Sequence, residues 1–89
     1  MQIESEKDFP ELRRQFSVWR KRFPMFTHDV HQIENIIEKH IQNYSIALVH
    51  YRQRHSTSYL KIAQNEIDEI NRVLLTVGKL ELMAMLSRG

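Results

Sequence analysis

The chain of 89 residues has no cysteine and a formal net charge of +2 at pH 7. This length allows one small domain, and the missing cysteines exclude disulfides and thiolate metal sites and are typical of an intracellular, cytoplasmic protein. The chain has no apolar run of the ~18 residues that a membrane span requires, its charge is too small to indicate a polyanion partner by itself, and its two glycines and two prolines disfavour an all-β fold.

The first predicted element is a helix over about residues 9–22. Large apolar side chains recur in it at spacings of three and four, which is typical of a helix with one buried face. Asp8 can cap its start together with Glu11, and Pro24 ends it because the residue before a proline is pushed out of the helical region. The apolar stripe consists of Phe9, Leu12, Phe16, Trp19 and Phe23.

The second predicted helix covers about residues 28–52, with Thr27 as its N-cap. At 1.5 Å per residue this helix would be about 37 Å long, so it is much longer than the first. Its apolar stripe keeps helical spacing almost to the end of the segment. The stripe consists of Val30, Ile33, Ile37, Ile41, Tyr44, Leu48 and Tyr51.

Seven polar residues at positions 52–58 follow the second helix, and the phase of the apolar repeat changes within them. A phase change in a polar run predicts a turn, followed by a third helix over about residues 58–87. The alternative is one unbroken helix of about 60 residues, a long coiled coil, since arginine and glutamine are good helix formers. The stripe of the third helix consists of Leu60, Ala63, Ile67, Ile70, Leu74 and Val77.

The two long stripes match when the chain folds back near residue 55. Leu48 then lies opposite Ala63, and Ile37 lies opposite Leu74, so apolar residues meet at each level, as an antiparallel helix pair requires. We therefore predict an all-α fold. It consists of an antiparallel helical hairpin of two long helices with a shorter N-terminal third helix, in a single domain over residues 1–89.

The apolar residues exceed what these three helices can bury. The first helix covers only about half of the hairpin, the end of the third helix is apolar almost all round, and the second helix has apolar residues off its stripe. This surplus predicts an oligomeric helical bundle, either a homo-oligomer or a complex with a helical protein partner, and a role as a scaffold or adaptor. The predicted partner-binding residues are Trp19, Phe23, Tyr44, Ile46, Val49, Tyr51, Leu82, Met83 and Leu86.

A basic flank on the first helix supports an alternative function. Its five basic residues have no acidic residue among them, and a basic helix with aromatic neighbours can bind nucleic acid or an anionic membrane. The competing interpretation is that the aromatic side chains fill the core while the arginine stems pack on their edges. The candidate polyanion-binding residues are Arg13, Arg14, Arg20, Lys21 and Arg22.

The sequence predicts no catalytic residue, no cofactor, no metal site and no small-molecule substrate. His28 and His31 lie one helical turn apart, but no third ligand accompanies them in a recognisable metal motif. No glycine-rich phosphate loop or nucleophile motif is present. Gly78 interrupts the third helix, which predicts a close approach of another helix or a kink.

Overall fold

The computed structural model describes residues 1–88 and consists of helices joined by short links. No strand occurs in this part of the chain, so the predicted all-α class is confirmed. The molecule measures 54 × 18 × 17 Å. Its radius of gyration of 15.1 Å exceeds the roughly 12 Å of a compact chain of this length. The elements are a 3₁₀ helix Glu6–Asp8, α1 Phe9–Arg22, a 3₁₀ helix Pro24–Phe26, α2 Thr27–Arg54 and α3 Thr57–Arg88.

The link between α2 and α3 consists of His55 and Ser56 only, so the chain does not continue as one long helix. His55 has φ 53° and ψ 26°, the left-handed conformation, and its N–H donates to the Tyr51 carbonyl at 2.7 Å. A left-handed residue after the last turn is a common way to end a helix, because it satisfies carbonyls that would otherwise lack donors. The chain therefore turns inside the polar run, and α3 packs extensively against α2.

The core lies where the helices meet, and most of its side chains belong to the predicted stripes. Near the turn the stripes hold less well: Ala47 is buried, whereas Leu48 is half-buried and Leu60 is exposed. The reason is that α1 begins beside Tyr44, where the Phe9 and Tyr44 rings lie edge to face at 5.4 Å. Between Tyr44 and the turn, α1 therefore does not cover α2 and α3. The most deeply buried helical side chains are Leu12, Phe16, Val30, Ile37 and Ile70.

Two ion pairs connect α1 to α2 and define their relative direction. Arg13 near the start of α1 pairs with Glu38, and Arg20 near its end pairs with Glu34. The later residue of α1 thus pairs with the earlier residue of α2, so these two helices run in opposite directions.

The helix starts differ from the predicted caps. Asp8 makes no capping bond for α1; its carboxylate instead accepts from the N–H of Glu4 at 2.8 Å and of Ser5 at 3.3 Å. Thr27 is already inside α2, and its hydroxyl donates to the Pro24 carbonyl at 3.0 Å. A 3₁₀ turn precedes α1 and α2, as is frequent at helix N-termini. The turn before α1 has its own cap, since the Ser5 hydroxyl accepts from the N–H of Lys7 at 3.3 Å.

The first five residues, here called the N-terminal strap, lie across α3. The Ile3 side chain is 1% exposed and belongs to the core. The Ile3 N–H donates to Asn71 Oδ1 at 2.6 Å, and the Ile3 carbonyl accepts from Asn71 Nδ2 at 2.8 Å. The sequence did not predict this contact, because one apolar residue between Gln2 and Glu4 has no helical period.

Gly78 does not mark a close helix approach within the chain, because a Cβ added there would meet no atom within 4 Å. Glycine in a helix interior costs about 1 kcal/mol relative to alanine, so Gly78→Ala should raise the free energy of unfolding by about 0.5–1 kcal/mol. Urea denaturation followed by far-UV circular dichroism measures this change. A lower free energy of unfolding would mean that another surface, such as a second copy, approaches the backbone at Gly78.

Candidate interaction surfaces

A group of exposed apolar side chains lies along the second half of α3. Four of its side chains are between 58% and 73% exposed. Their spacings of three, four and seven residues place them on one side of the helix. We call this surface the outer α3 face, and it consists of Leu75, Leu82, Met85 and Leu86. Two of these, Leu82 and Leu86, were predicted from the sequence as partner-binding residues, and the third predicted residue of this region, Met83, is about half exposed.

A smaller apolar surface lies near the turn. Ile46 and Val49 are each about half exposed and, three residues apart on α2, are neighbours on the helix surface. Tyr51 is half-buried, with its ring 6.4 Å from the ring of His55. These positions remain available to a partner, but they offer less apolar area than the outer α3 face.

Three of the predicted partner-binding aromatics pack inside the chain instead. Trp19 is buried and lies edge to face with Phe16 at 5.1 Å. Phe23 is buried, and the Arg22 guanidinium lies 5.6 Å from its ring centroid. Tyr44 is half-buried, and this burial raises the pKa of its hydroxyl. Trp19 and Phe23 face the core rather than solvent, and their role in partner binding stays a prediction.

Two of the five basic residues on the flank of α1 pair with carboxylates of α2. Arg13 donates two hydrogen bonds to Glu38, at 2.8 and 3.1 Å, and this pairing raises the pKa of Arg13. Arg20 Nη1 donates to Glu34 Oε2, so this pair also joins α1 to α2. Sequence reasoning missed these partners because both acids lie outside the α1 segment, although their spacing of four residues places them on one side of α2.

A third arginine of the flank is paired within α1 itself. Arg14 donates to both carboxylate oxygens of Glu11, at 2.9 and 2.7 Å, which lowers the pKa of Glu11. Lys21 and Arg22 are exposed, and among the side chains described no carboxylate lies within ion-pair distance of either. Three of the five candidate polyanion-binding residues therefore pair with carboxylates, and polyanion binding by this flank stays a prediction.

The histidines do not converge on a reactive centre. His28 and His31 are exposed, and in the described part of the chain no group of three or more potential metal ligands comes together. His40 Nδ1 lies 2.6 Å from Glu66 Oε2, which links α2 to α3. His50 stacks on Tyr59 with ring centroids 5.3 Å apart, and its buried Nδ1 has no hydrogen-bond partner in the described chain. His40 and His50 therefore each contact a side chain of α3.

Two further findings concern the chain as a whole. Among the residues described, no helix combines the length and the apolar character that crossing a bilayer requires. Comparison of the chain with protein-family models, curated proteins and solved structures found no match.

Proposed function

We propose that the chain is a non-enzymatic protein–protein interaction module, a scaffold or adaptor that self-associates or binds partner helices through apolar helix faces. The outer α3 face supports this proposal most directly, because its four large apolar side chains are 58–73% exposed on one side of a helix. Contiguous apolar surface of this kind marks interaction sites in proteins that function in water. Fully burying a leucine or methionine side chain contributes about 1.5–3 kcal/mol, so covering this face favours association.

The architecture we propose is an antiparallel hairpin of α2 and α3 with α1 as the shorter third helix. Two contacts support it. Going back along α2 from His50 to His40, the partner on α3 advances from Tyr59 to Glu66. Partners that move in opposite directions are typical of antiparallel helices joined by a short link.

We further propose that the outer α3 face binds the same face of a second copy of the chain, in an oligomeric helical bundle. A two-fold interface uses one surface twice, so a single apolar face on each chain is sufficient to build it. Leu75 and Leu82 are seven residues apart, the repeat that keeps two packed helices in contact along a seam. Binding of a different helical protein is the other outcome of the test.

The test replaces Leu82 and Leu86 together by glutamine, which keeps helix propensity and removes the apolar surface. Light scattering of the wild-type chain should give a mass that rises with concentration from 10.8 kDa toward at least twice that value. The double variant should associate at least roughly tenfold more weakly, the equivalent of about 1.4 kcal/mol.

Val18→Gln is the matched control, because Val18 is an exposed apolar residue on α1, outside the outer α3 face. This variant should associate like the wild type. A wild-type mass of 10.8 kDa at every concentration would contradict self-association and leave a different helical partner as the occupant. Association that survives the double variant but is lost in Ile46→Gln/Val49→Gln would place the interface near the turn.

A further inference from the structure

The N-terminal strap is held on α3 by few contacts, and these contacts recognise its backbone. Asn71 is the only residue that hydrogen-bonds to Ile3 among the bonds found in the described chain, and it uses both ends of its side-chain amide. One end accepts from the Ile3 N–H and the other donates to the Ile3 carbonyl. A side-chain amide that bonds both the N–H and the carbonyl of one residue recognises the peptide backbone, and this recognition does not depend on the side chain of that residue.

Two apolar side chains of the strap, two residues apart, face α3. Met1 borders a cavity on α3 although it is 56% exposed, and Ile3 is buried against the helix; Gln2 and Glu4 are exposed, with Gln2 beside Asn71. Side chains two residues apart share one face of an extended segment. Main-chain hydrogen bonds combined with sites for alternate side chains are the recurring way in which proteins bind extended peptides.

The site for the first of these side chains is incompletely filled. Met1 borders a cavity of about 230 Å³ but remains 56% exposed. Gly78 contributes to the opening because it has no side chain and a Cβ there would meet no atom within 4 Å. A larger apolar side chain than Met1 would fill this space better. The other residues around the cavity are Trp19, Leu74, Leu75, Val77 and Glu81.

We infer that the groove between α1 and α3 is a binding site for an extended peptide segment with apolar side chains at alternate positions, and that the strap occupies it in cis. Asn71 pairs with the peptide backbone, the buried Ile3 position takes an aliphatic side chain, and the cavity beside Gly78 takes a large apolar one. This inference does not rest on self-association. Only Leu75 borders both this groove and the outer α3 face.

The test supplies the strap as a separate peptide. Ile3→Asp in the full chain places a carboxylate at a position that is 1% exposed, so the strap should leave the groove. A labelled synthetic peptide with the sequence of residues 1–8 should then bind this variant saturably. Anisotropy of the label measures the binding, and the fluorescence of Trp19, the single tryptophan, reports it from the cavity wall.

Three controls define the result. The wild-type chain should bind the peptide at least roughly tenfold more weakly, because its own strap is present at an effective concentration in the millimolar range. The same peptide carrying the Ile3→Asp change should not bind. Asn71→Ala added to the Ile3→Asp chain should weaken binding at least roughly tenfold, since both backbone hydrogen bonds are lost.

The inference is overturned if the Ile3→Asp chain melts cooperatively and keeps its helix content, yet binds no peptide. A second measurement covers the case in which this variant does not fold. In the wild-type chain the Ile3 N–H should exchange with solvent much faster than the buried helical amides of Ile37 and Ile70, because the strap leaves while the helices stay folded. Equal exchange rates for these amides would make the strap an inseparable part of the core and would exclude an exchangeable site.

Discussion

Phe16→Ala is expected to lower the free energy of unfolding by about 3–5 kcal/mol. Phe16 is among the most deeply buried side chains of the molecule and lies edge to face with Trp19 at 5.1 Å. Removing the ring deletes one of the largest apolar side chains that α1 contributes to the core and leaves a cavity that the helices can only partly close. Domains of this kind are stable by only about 5–15 kcal/mol, so the variant should be close to unfolding at room temperature.

Urea denaturation followed by circular dichroism measures this loss, and Trp19 fluorescence reports it independently from within the same cluster. Val18→Ala is the matched control, because Val18 lies on α1 two residues away and is 46% exposed. Its effect should stay within about 0.5 kcal/mol, as is usual for surface positions. Equal effects of the two substitutions would contradict the packing of α1 against the core.

Glu66→Ala is expected to have the second-largest effect, a loss of about 1–3 kcal/mol. The Glu66 carboxylate lies 2.6 Å from His40 Nδ1, and the two side chains are only 19% and 25% exposed. Without the carboxylate, a half-buried imidazole nitrogen loses its partner and water cannot fully replace it. The free energy of unfolding from urea titration gives the magnitude.

A double-mutant cycle separates this contact from a general effect of losing a charge. The cycle uses the single variants His40→Leu and Glu66→Leu and the double variant that carries both changes. The double variant lacks both polar groups, so it should be nearly as stable as the wild type. Glu69→Ala is the control, because Glu69 pairs with Arg72 on the exposed surface of α3 at 3.0 Å and should contribute about 0.5 kcal/mol or less. A coupling energy near zero would mean that His40 and Glu66 do not meet.

The sequence was sufficient to predict the helices and most of the residues through which they touch. Ile33, Ile37 and Ile41 recur at helical spacing on α2, and all three are buried. The prediction of buried residues succeeds because a helix buries one face, and the spacing of its apolar residues identifies that face. The helix break was predicted as well, since a change of phase inside a polar run leaves no continuous face to bury.

The parts that could not be predicted depend on contacts between distant segments. Ile3 has no periodic neighbours, so nothing in the strap itself indicates that it is buried against α3. The pairing of Arg13 with Glu38 joins residues 25 positions apart, and it changes the electrostatics that α1 alone would have. Trp19 and Leu82 are both large and apolar, yet Trp19 is buried and Leu82 is exposed. This difference depends on how the helices pack and not on the residue types.

The contact between Ile3 and Asn71 has a consequence for the synthesis of the protein. Asn71 follows Ile3 by 68 residues, so at about 5–20 residues per second its codon is read roughly 3–14 s later. During this interval Ile3 lacks its hydrogen-bond partner, because Asn71 has not yet been added to the chain. Ile3 is thus translated early but is among the last residues to reach its native neighbours. The strap can dock on α3 only after the ribosome has added Asn71.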